Sequence, residues 1–199
     1  MDNKKGISNK IKILCFLIFI IVIGVVVVAF YFYNQTSVVT EEKSVDGGSI
    51  SLTYADDSNS FVIEKATPTS DVVGEKLDSA DMFFDFTINS EFDGASSFDY
   101  DILLIKNEDK STSLNTNIKV YLEKENNGKY ERVAGPSIFT SNFNDKSLGE
   151  EIMKIYTNQV SSDVSENYRL RLWLSDTAVF EKEDEQNFGV KISFQANAK

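Results

Sequence analysis

Two aspartates on one predicted strand come closest, by type and spacing, to a catalytic arrangement. Asp99 and Asp101 flank Tyr100, so the two-residue period of a β-strand turns both carboxylates to the same face. Such carboxylates lie roughly 5–7 Å apart, close to the spacing of a retaining glycosidase pair, and they could also supply half of a calcium site. Aspartates that alternate with apolar residues more often form the solvated side of a strand. We therefore expect no catalytic residue and no metal ligand here.

Two other acidic stretches have the composition of ligand sites but not their spacing. Asp56, Asp57 and Asn59 resemble part of a calcium loop, but the glycine at the sixth position and the terminal glutamate of an EF-hand are missing. Residues 181–185 form a run of charges that is typical of a solvated loop. We expect neither a metal ion nor a cofactor.

The residue inventory excludes most hydrolytic and metal chemistry. The chain has no histidine, which removes the Ser-His-Asp triad, the Cys-His dyad and HExxH zinc sites. Its single cysteine, Cys15, allows no intrachain disulfide and no cysteine-cluster metal site. The formal net charge of −11 argues against a nucleic-acid partner. With no GxSxG, P-loop, SxxK or CxxC motif either, the sequence predicts a protein that is not an enzyme.

An uncharged apolar run of 21 residues, 13–33, predicts a transmembrane helix. An α-helix of that length covers roughly 30 Å, the thickness of the hydrocarbon layer. The preceding residues 1–12 carry four lysines and one aspartate, so the positive-inside rule predicts a cytoplasmic N-terminus. Residues 34–48 are then a polar tether, and residues 49–199 form an extracellular domain. The lipid bilayer is the one partner that the sequence identifies, through residues 13–33.

Cleavage of this helix is the alternative to its retention as a signal-anchor. Val27, Val28 and Ala29 fit the small-residue rule of signal peptidase, so cleavage after Ala29 is possible. The long apolar run and its aromatic end at residues 30–33 favour retention. In a lipoprotein the lipidated cysteine follows the apolar run, whereas Cys15 lies at the beginning of the run. We therefore expect Cys15 to be a lipid-facing apolar residue.

Beyond the tether, apolar residues recur at every second position. Seven segments show this period, which is the pattern of half-buried antiparallel strands. They are 50–54, 61–65, 82–88, 98–104, 118–122, 168–174 and 188–196. Asn126, Asn127 and Gly128 predict a hairpin turn that leads into a further strand from Tyr130. The sequence predicts an all-β fold, an antiparallel sandwich or jelly roll of about 7–9 strands, preceded by the single N-terminal transmembrane helix.

Two features of the predicted domain stay open. Residues 144–159 could form either a few helical turns or another strand. Trp173 shares a strand face with Arg169 and Arg171, and we expect it to cover a sheet margin beside the arginine stems. A sugar- or peptide-binding role for this tryptophan is the alternative.

The last two predicted strands, residues 167–174 and 188–196, resemble the closing strands of the TasA/camelysin family. The Gly-Ser-Ile-Ser-Leu stretch at 48–52 and the Phe-x-Phe-Thr-Ile stretch at 84–88 are similar to earlier strands of that family. The resemblance implies an exported β-sandwich protein of Gram-positive surfaces or biofilm matrix. The family's cleaved signal is replaced here by a run that favours retention. The family has been classed with peptidases, but this sequence offers no metal ligands for that activity.

These observations lead to one principal hypothesis about function. We expect a non-catalytic, membrane-anchored bacterial surface protein that serves as a binding or envelope-structural module outside the cell. Its extracellular partner, a protein or a glycan, is not identified by the sequence, and self-assembly is possible.

Three alternatives belong to other classes. The first is a secreted fibre or biofilm-matrix subunit, released by cleavage near Ala29. The second is a minor pilin-like protein, in which Gly6 precedes the apolar helix but Ile11 stands where a pilin has glutamate. The third is a glycan hydrolase that uses the carboxylates of Asp99 and Asp101 alone.

Overall fold

The computed structural model describes residues 39–45, 48–54, 60–79, 82–92, 97–179 and 186–198. The basic tail 1–12, the predicted transmembrane segment 13–33, the Asp56-Asp57 stretch and the charge run 181–185 lie outside these ranges. No helix in the described ranges combines the length and the apolar character that a membrane span needs. The described residues belong to one compact unit, residues 38–199.

Strands make up 64% of the described residues and helices 7%, so the all-β prediction is confirmed. The strands are β1 (Val39–Val45), β2 (Gly48–Tyr54), β3 (Ser60–Ile63), β4 (Pro68–Thr69), β5 (Phe83–Phe92), β6 (Phe98–Lys106), β7 (Ile118–Asn126), β8 (Lys129–Ile138), β9 (Ile152–Val160), β10 (Val164–Ser175) and β11 (Phe188–Ala198). One short helix, α1 (Asp71–Gly74), and two 3-10 turns, Glu108–Lys110 and Asn115–Asn117, lie between them.

The strands form two sheets. The large sheet has the order β1-β2-β5-β10-β7-β8, with β4 paired in parallel to the end of β10. The small sheet has the order β3-β11-β6-β9, and every pairing apart from that of β4 is antiparallel. This two-sheet arrangement is consistent with a sandwich. The hairpin prediction is confirmed, because Asn126 pairs with Lys129 and the two central residues, Asn127 and Gly128, have φ of 51° and 78°.

The main core lies between the two sheets and is built from the apolar face of each strand. Both sheets contribute fully buried residues to one cluster: Ile50, Leu52, Ile88, Leu122 and Leu170 come from the large sheet, and Phe98, Ile102, Leu104, Val190, Ile192 and Phe194 come from the small sheet. A second, smaller cluster covers the outer face of the small sheet, where Phe143 and Leu148 pack on Leu103, Ile105 and Ile152. The domain thus buries apolar surface without a disulfide.

The described residues contain eleven strands, more than the 7–9 predicted. The predicted tether 34–48 is wrong for residues 39–45, which form edge strand β1. This polar segment is ordered by its antiparallel pairing with β2 and by Lys43, which donates to the backbone oxygen of Phe194 in the small sheet. The open stretch 144–159 contains a turn followed by β9, whose pairing with β6 selects the strand over a helix.

Candidate functional site

The candidate acid pair lies on the outer face of the small sheet, on β6. Asp101 is only 6% exposed, and its carboxylate accepts a hydrogen bond from Thr157 and pairs with Lys154 at 3.5 Å. Both partners lie on the neighbouring strand β9, whereas Asp99 stands opposite Gln159 of β9 and Asn197 of β11. The structure therefore uses Asp101 to join β6 to β9. In the described part of the chain, no three cysteine, aspartate or glutamate side chains converge as metal ligands would.

Trp173 is not at an open sheet margin. It is 2% exposed and lies on the outer face of the large sheet beneath α1, where a Cβ on Gly74 would stand 2.3 Å from two atoms of the indole ring. Its ring contacts that of Tyr121 at a centroid distance of 6.2 Å. The indole N–H is buried and has no hydrogen-bond partner among the described residues. A sugar could not stack on this ring without displacing α1.

A pocket of about 320 Å³ adjoins Trp173, at a gap in the large sheet. β5 pairs with β10 only as far as Arg171, and β4 pairs with β10 only from Leu174. The pocket opens between those two pairings. Its apolar lining comes from Val62, Ile63, Ala66, Leu77, Met82, Leu172 and Leu174, and its polar lining from Glu64, Lys65, Thr67 and Thr69.

The two arginines beside Trp173 are held by carboxylates. Arg171 and Glu123 form a buried ion pair on the outer face of the large sheet, with exposed side-chain fractions of 7% and 10%. Arg171 also donates to the backbone oxygen of Leu77 at 2.6 Å. Burial lowers the pKa of Arg171 from its usual range, although the guanidinium of an arginine stays charged. This pair fixes the segment after α1 onto the sheet.

Arg169 is the centre of an aromatic stack. Its guanidinium donates two hydrogen bonds of 2.7 Å to Asp85 and lies between two rings, 3.8 Å from the centroid of Phe83 and 4.3 Å from that of Tyr130. The hydrogen bonds to Asp85 raise the pKa of Arg169. Burial raises the pKa of the Tyr130 hydroxyl, so it stays protonated at neutral pH. The stack connects β5, β10 and β8.

Next to this stack, one row of polar side chains crosses the large sheet on its outer face. The strand registers align Thr40, Thr53, Thr87, Asn167, Glu125 and Tyr130 from β1 to β8. In the middle of the row, Thr87 donates to Asn167 at 2.8 Å, and Asn167 donates to Glu125 at 2.7 Å. The hydroxyl oxygens of Thr40 and Thr53 are 3.3 Å apart.

A depression of about 200 Å³ follows the middle of this row. We call it the Tyr130 trough. Its lining residues are Thr53, Tyr54, Asp85, Phe86, Thr87, Tyr130 and Asn167. Tyr54 and Phe86 are buried, with 5% and 3% of their residue surface exposed. Tyr130, which is half-buried, is therefore the aromatic side chain of the lining that a ligand could reach. The trough combines an aromatic ring with hydroxyl, amide and carboxylate groups.

A polar cluster also joins the two sheets through the core. The Glu166 carboxylate accepts hydrogen bonds from Lys124, Tyr168, Tyr100 and Asn158, of which the first two lie on the large sheet and the last two on the small sheet. Burial by itself would raise the pKa of Glu166, but these donors outweigh it and lower the pKa. Burial raises the pKa of both tyrosines. All polar groups of the cluster have partners, as a structural network requires.

The two-residue period places Asp85, Thr87, Arg169 and Trp173 on strand faces, but it does not show which strands lie side by side. The trough needs the register between β5 and β10, whose paired residues Thr87 and Asn167 are 80 positions apart. For Tyr130 the sequence predicts a position on a strand and no functional role. Its spacing from the Asn126–Gly128 turn was the one signal that could have placed it on the outer face.

Comparison of the chain with models of known protein families, with curated proteins and with solved structures gives no match.

Proposed function

We propose that the chain is a non-catalytic binding or envelope-structural module, displayed outside a bacterial cell on an N-terminal membrane anchor. The observation that carries the non-catalytic part is the engagement of Asp101 by Thr157 and Lys154. A carboxylate held in this way serves as an acceptor between strands rather than as one half of an acid-base pair. The other buried charges, on Arg171, Glu123 and Glu166, are likewise taken up by internal partners.

The anchor and the orientation rest on the sequence. Residues 13–33 lack charges over the length of a bilayer crossing, and the lysines of residues 1–12 favour the cytoplasm. Beyond residue 33 the chain has 16 basic and 30 acidic residues, a balance that suits a soluble exterior domain.

The finer description of the fold is part of the proposal. We propose a sandwich of the TasA/camelysin type, supported by the two antiparallel sheets and by the position of residues 167–174 and 188–196. Those two segments form most of β10 and β11, which are central strands of the large and the small sheet.

A secreted fibre or matrix subunit is the second candidate, and one feature of β9 favours it. No described strand pairs with the outer edge of β9. Its first residues are covered by Asn142, which exchanges hydrogen bonds with the backbone of Lys154, but the edge from Ile155 to Val160 has no such cover within the described residues. An open edge can receive a strand from a neighbouring molecule.

Fractionation of a Gram-positive host that expresses the full chain tests both candidates. We expect the intact chain in the membrane fraction, resistant to a carbonate wash, with residues beyond 34 digested by protease added to whole cells. Intact mass decides between them: the full-length mass supports the anchored module, whereas a mass that begins after Ala29 supports the secreted subunit. Recovery of the chain in the cytosol without detergent would contradict both.

A further inference from the structure

We propose that the Tyr130 trough binds a neutral, hydroxyl-rich glycan chain. The inference rests on the proposed function, because it names the ligand class of a displayed binding module. The trough is distinct from the acid pair Asp99 and Asp101, which lies on the other sheet.

The first argument is the hydrogen-bonding capacity that the lining side chains keep. Asn167 uses one amide N–H for Glu125 and retains the other, and its carbonyl oxygen has two acceptor positions, of which Thr87 occupies one. Each oxygen of Asp85 accepts one hydrogen bond from Arg169 and can accept another. Sugar hydroxyls both donate and accept, so this mixture of free donors and acceptors matches them.

The second argument is rigidity. Thr87 is held by Asn167, and Asn167 is held by Glu125, all on paired strands. Asp85 is fixed by two hydrogen bonds from Arg169, which is itself packed between two aromatic rings. Because these groups are ordered before a ligand arrives, binding costs little conformational entropy.

The third argument is the aromatic ring. Tyr130 lies at one end of the row and lines the trough, while the guanidinium of Arg169 stacks against it at 4.3 Å. A tyrosine supplies a flat apolar surface together with a polar hydroxyl. The C–H face of a pyranose ring packs on such a surface while its hydroxyls reach the polar groups beside it.

The charges favour a neutral glycan over an acidic one. Asp85 lines the trough and Glu125 adjoins it, and the whole chain carries −11, so a polyanion would be repelled. A protein partner is disfavoured because hot spots cluster with one another in well-packed pockets, whereas the trough offers the single ring of Tyr130 among polar side chains. The exposed large hydrophobic residues of the described part are Val72, Val73, Met82, Leu114 and Val179, and none of them lines the trough.

The test is isothermal titration calorimetry of the full chain in lipid nanodiscs, which avoids sugar-based detergents. The probes are a β-1,4-linked glucose hexamer, a β-1,4-linked N-acetylglucosamine hexamer and, as the acidic counterpart, a galacturonate hexamer. We expect at least one neutral hexamer to bind, with an affinity that changes less than twofold between low and high salt because no ion pair is formed. Binding of the galacturonate hexamer alone, or of none of the three, would overturn the inference.

Variants locate the site. Tyr130→Ala and Asn167→Ala should each weaken binding at least tenfold, whereas Tyr130→Phe, which keeps the ring, should retain most of it. Gln159→Ala removes an exposed amide on the small sheet and is the matched control for Asn167→Ala. Circular dichroism and the emission of Trp173, the only tryptophan, check that each variant is folded. Binding that survives both alanine variants in folded protein would contradict this site.

Glycan binding at the Tyr130 trough and display at the cell surface can be refuted independently of each other. A chain that lies on the cell surface but binds no neutral hexamer refutes the inference alone. A chain that binds the hexamer through Tyr130 but stays in the cytosol refutes the surface role and leaves the site standing. Shortening of the hexamer during the titration would contradict the non-catalytic role.

Discussion

Several charged residues of the described part hold strands and sheets together. Asp101 joins β6 to β9, Glu123 and Arg171 fasten the segment after α1, and Glu166 connects the sheets. Each is an internal contact between residues far apart in the chain. Residue type alone does not distinguish such a structural contact from a catalytic site. A catalytic acid pair has the same spacing along a strand as a solvated pair or a pair that links two strands.

Glu166 should make folding stability depend on acid pH. Its pKa is lower in the folded protein than its ordinary value of 4.5. The stabilisation is therefore complete above that value and is lost as the pH falls through the lower folded pKa. Urea denaturation between pH 7 and pH 3 should show a smaller loss of stability for Glu166→Gln than for the natural chain.

At pH 7 the same variant should be destabilised by about 1–3 kcal/mol, because Lys124 and two tyrosine hydroxyls lose a charged acceptor. Glu131→Gln changes an exposed glutamate on β8 and is the control, with an expected change below about 0.5 kcal/mol. Equal losses of unfolding free energy in the two variants would show that Glu166 and its partners contribute no more to stability than an exposed glutamate does.

Gly74 should tolerate no side chain, because its Cα packs on the face of Trp173. A Cβ would come within 2.3 Å of the indole, which is buried and cannot move away. Gly74→Ala should destabilise the domain by about 1–3 kcal/mol and shift the Trp173 emission to longer wavelength as water reaches the ring. The neighbouring Val73→Ala, at a position 54% exposed, should leave both quantities nearly unchanged. An unshifted emission in Gly74→Ala would show that α1 does not cover the ring.

At the scale of elements, the two-residue period predicted the strands that have one buried face. Four strands lacked that signal. One of them, β8, was predicted only from the hairpin turn before it, and all of its residues are half-buried or exposed. β1 has the polar sequence VTEEKSV and is ordered by its pairing with β2. The strand β4 has only two residues. In β9 the residues at both ends are buried, but those between them are mainly half-exposed or exposed. Edge strands carry such sequences because few of their residues face the core. The trough could not be predicted for a related reason, since local periodicity contains no information on which distant strands pair.

Asn142 should protect the edge of β9. Its side chain imitates a paired strand, donating to the backbone oxygen of Lys154 at 3.2 Å and accepting from the backbone N–H at 2.6 Å. Asn142→Ala should expose this edge, increase self-association in sedimentation velocity at high protein concentration, and lower the free energy of unfolding by about 1 kcal/mol. Thr140→Ala, at an exposed position of the same loop, is the control. A strictly monomeric Asn142→Ala would weaken the secreted-subunit candidate.

At the scale of the whole molecule, an apolar N-terminal segment precedes an acidic β-domain in the chain. The polar outer face of the large sheet, with its row of polar side chains from Thr40 to Tyr130, suits the proposed role, in which this sheet faces water and a hydrated ligand. The formal net charge of −11 is compatible with the proposed display of the domain in water.

The proposed display of the β-domain outside the cell by residues 13–33 can be measured by cysteine labelling in intact cells. Cys15 is the only cysteine, so a Cys15→Ser background accepts single reporters at Asn3 and at the exposed Gln159. With a membrane-impermeant maleimide we expect Gln159→Cys to be labelled in intact cells and Asn3→Cys to be labelled only after permeabilisation. Labelling of Asn3→Cys in intact cells, or protection of Gln159→Cys until the cells are opened, would contradict the account.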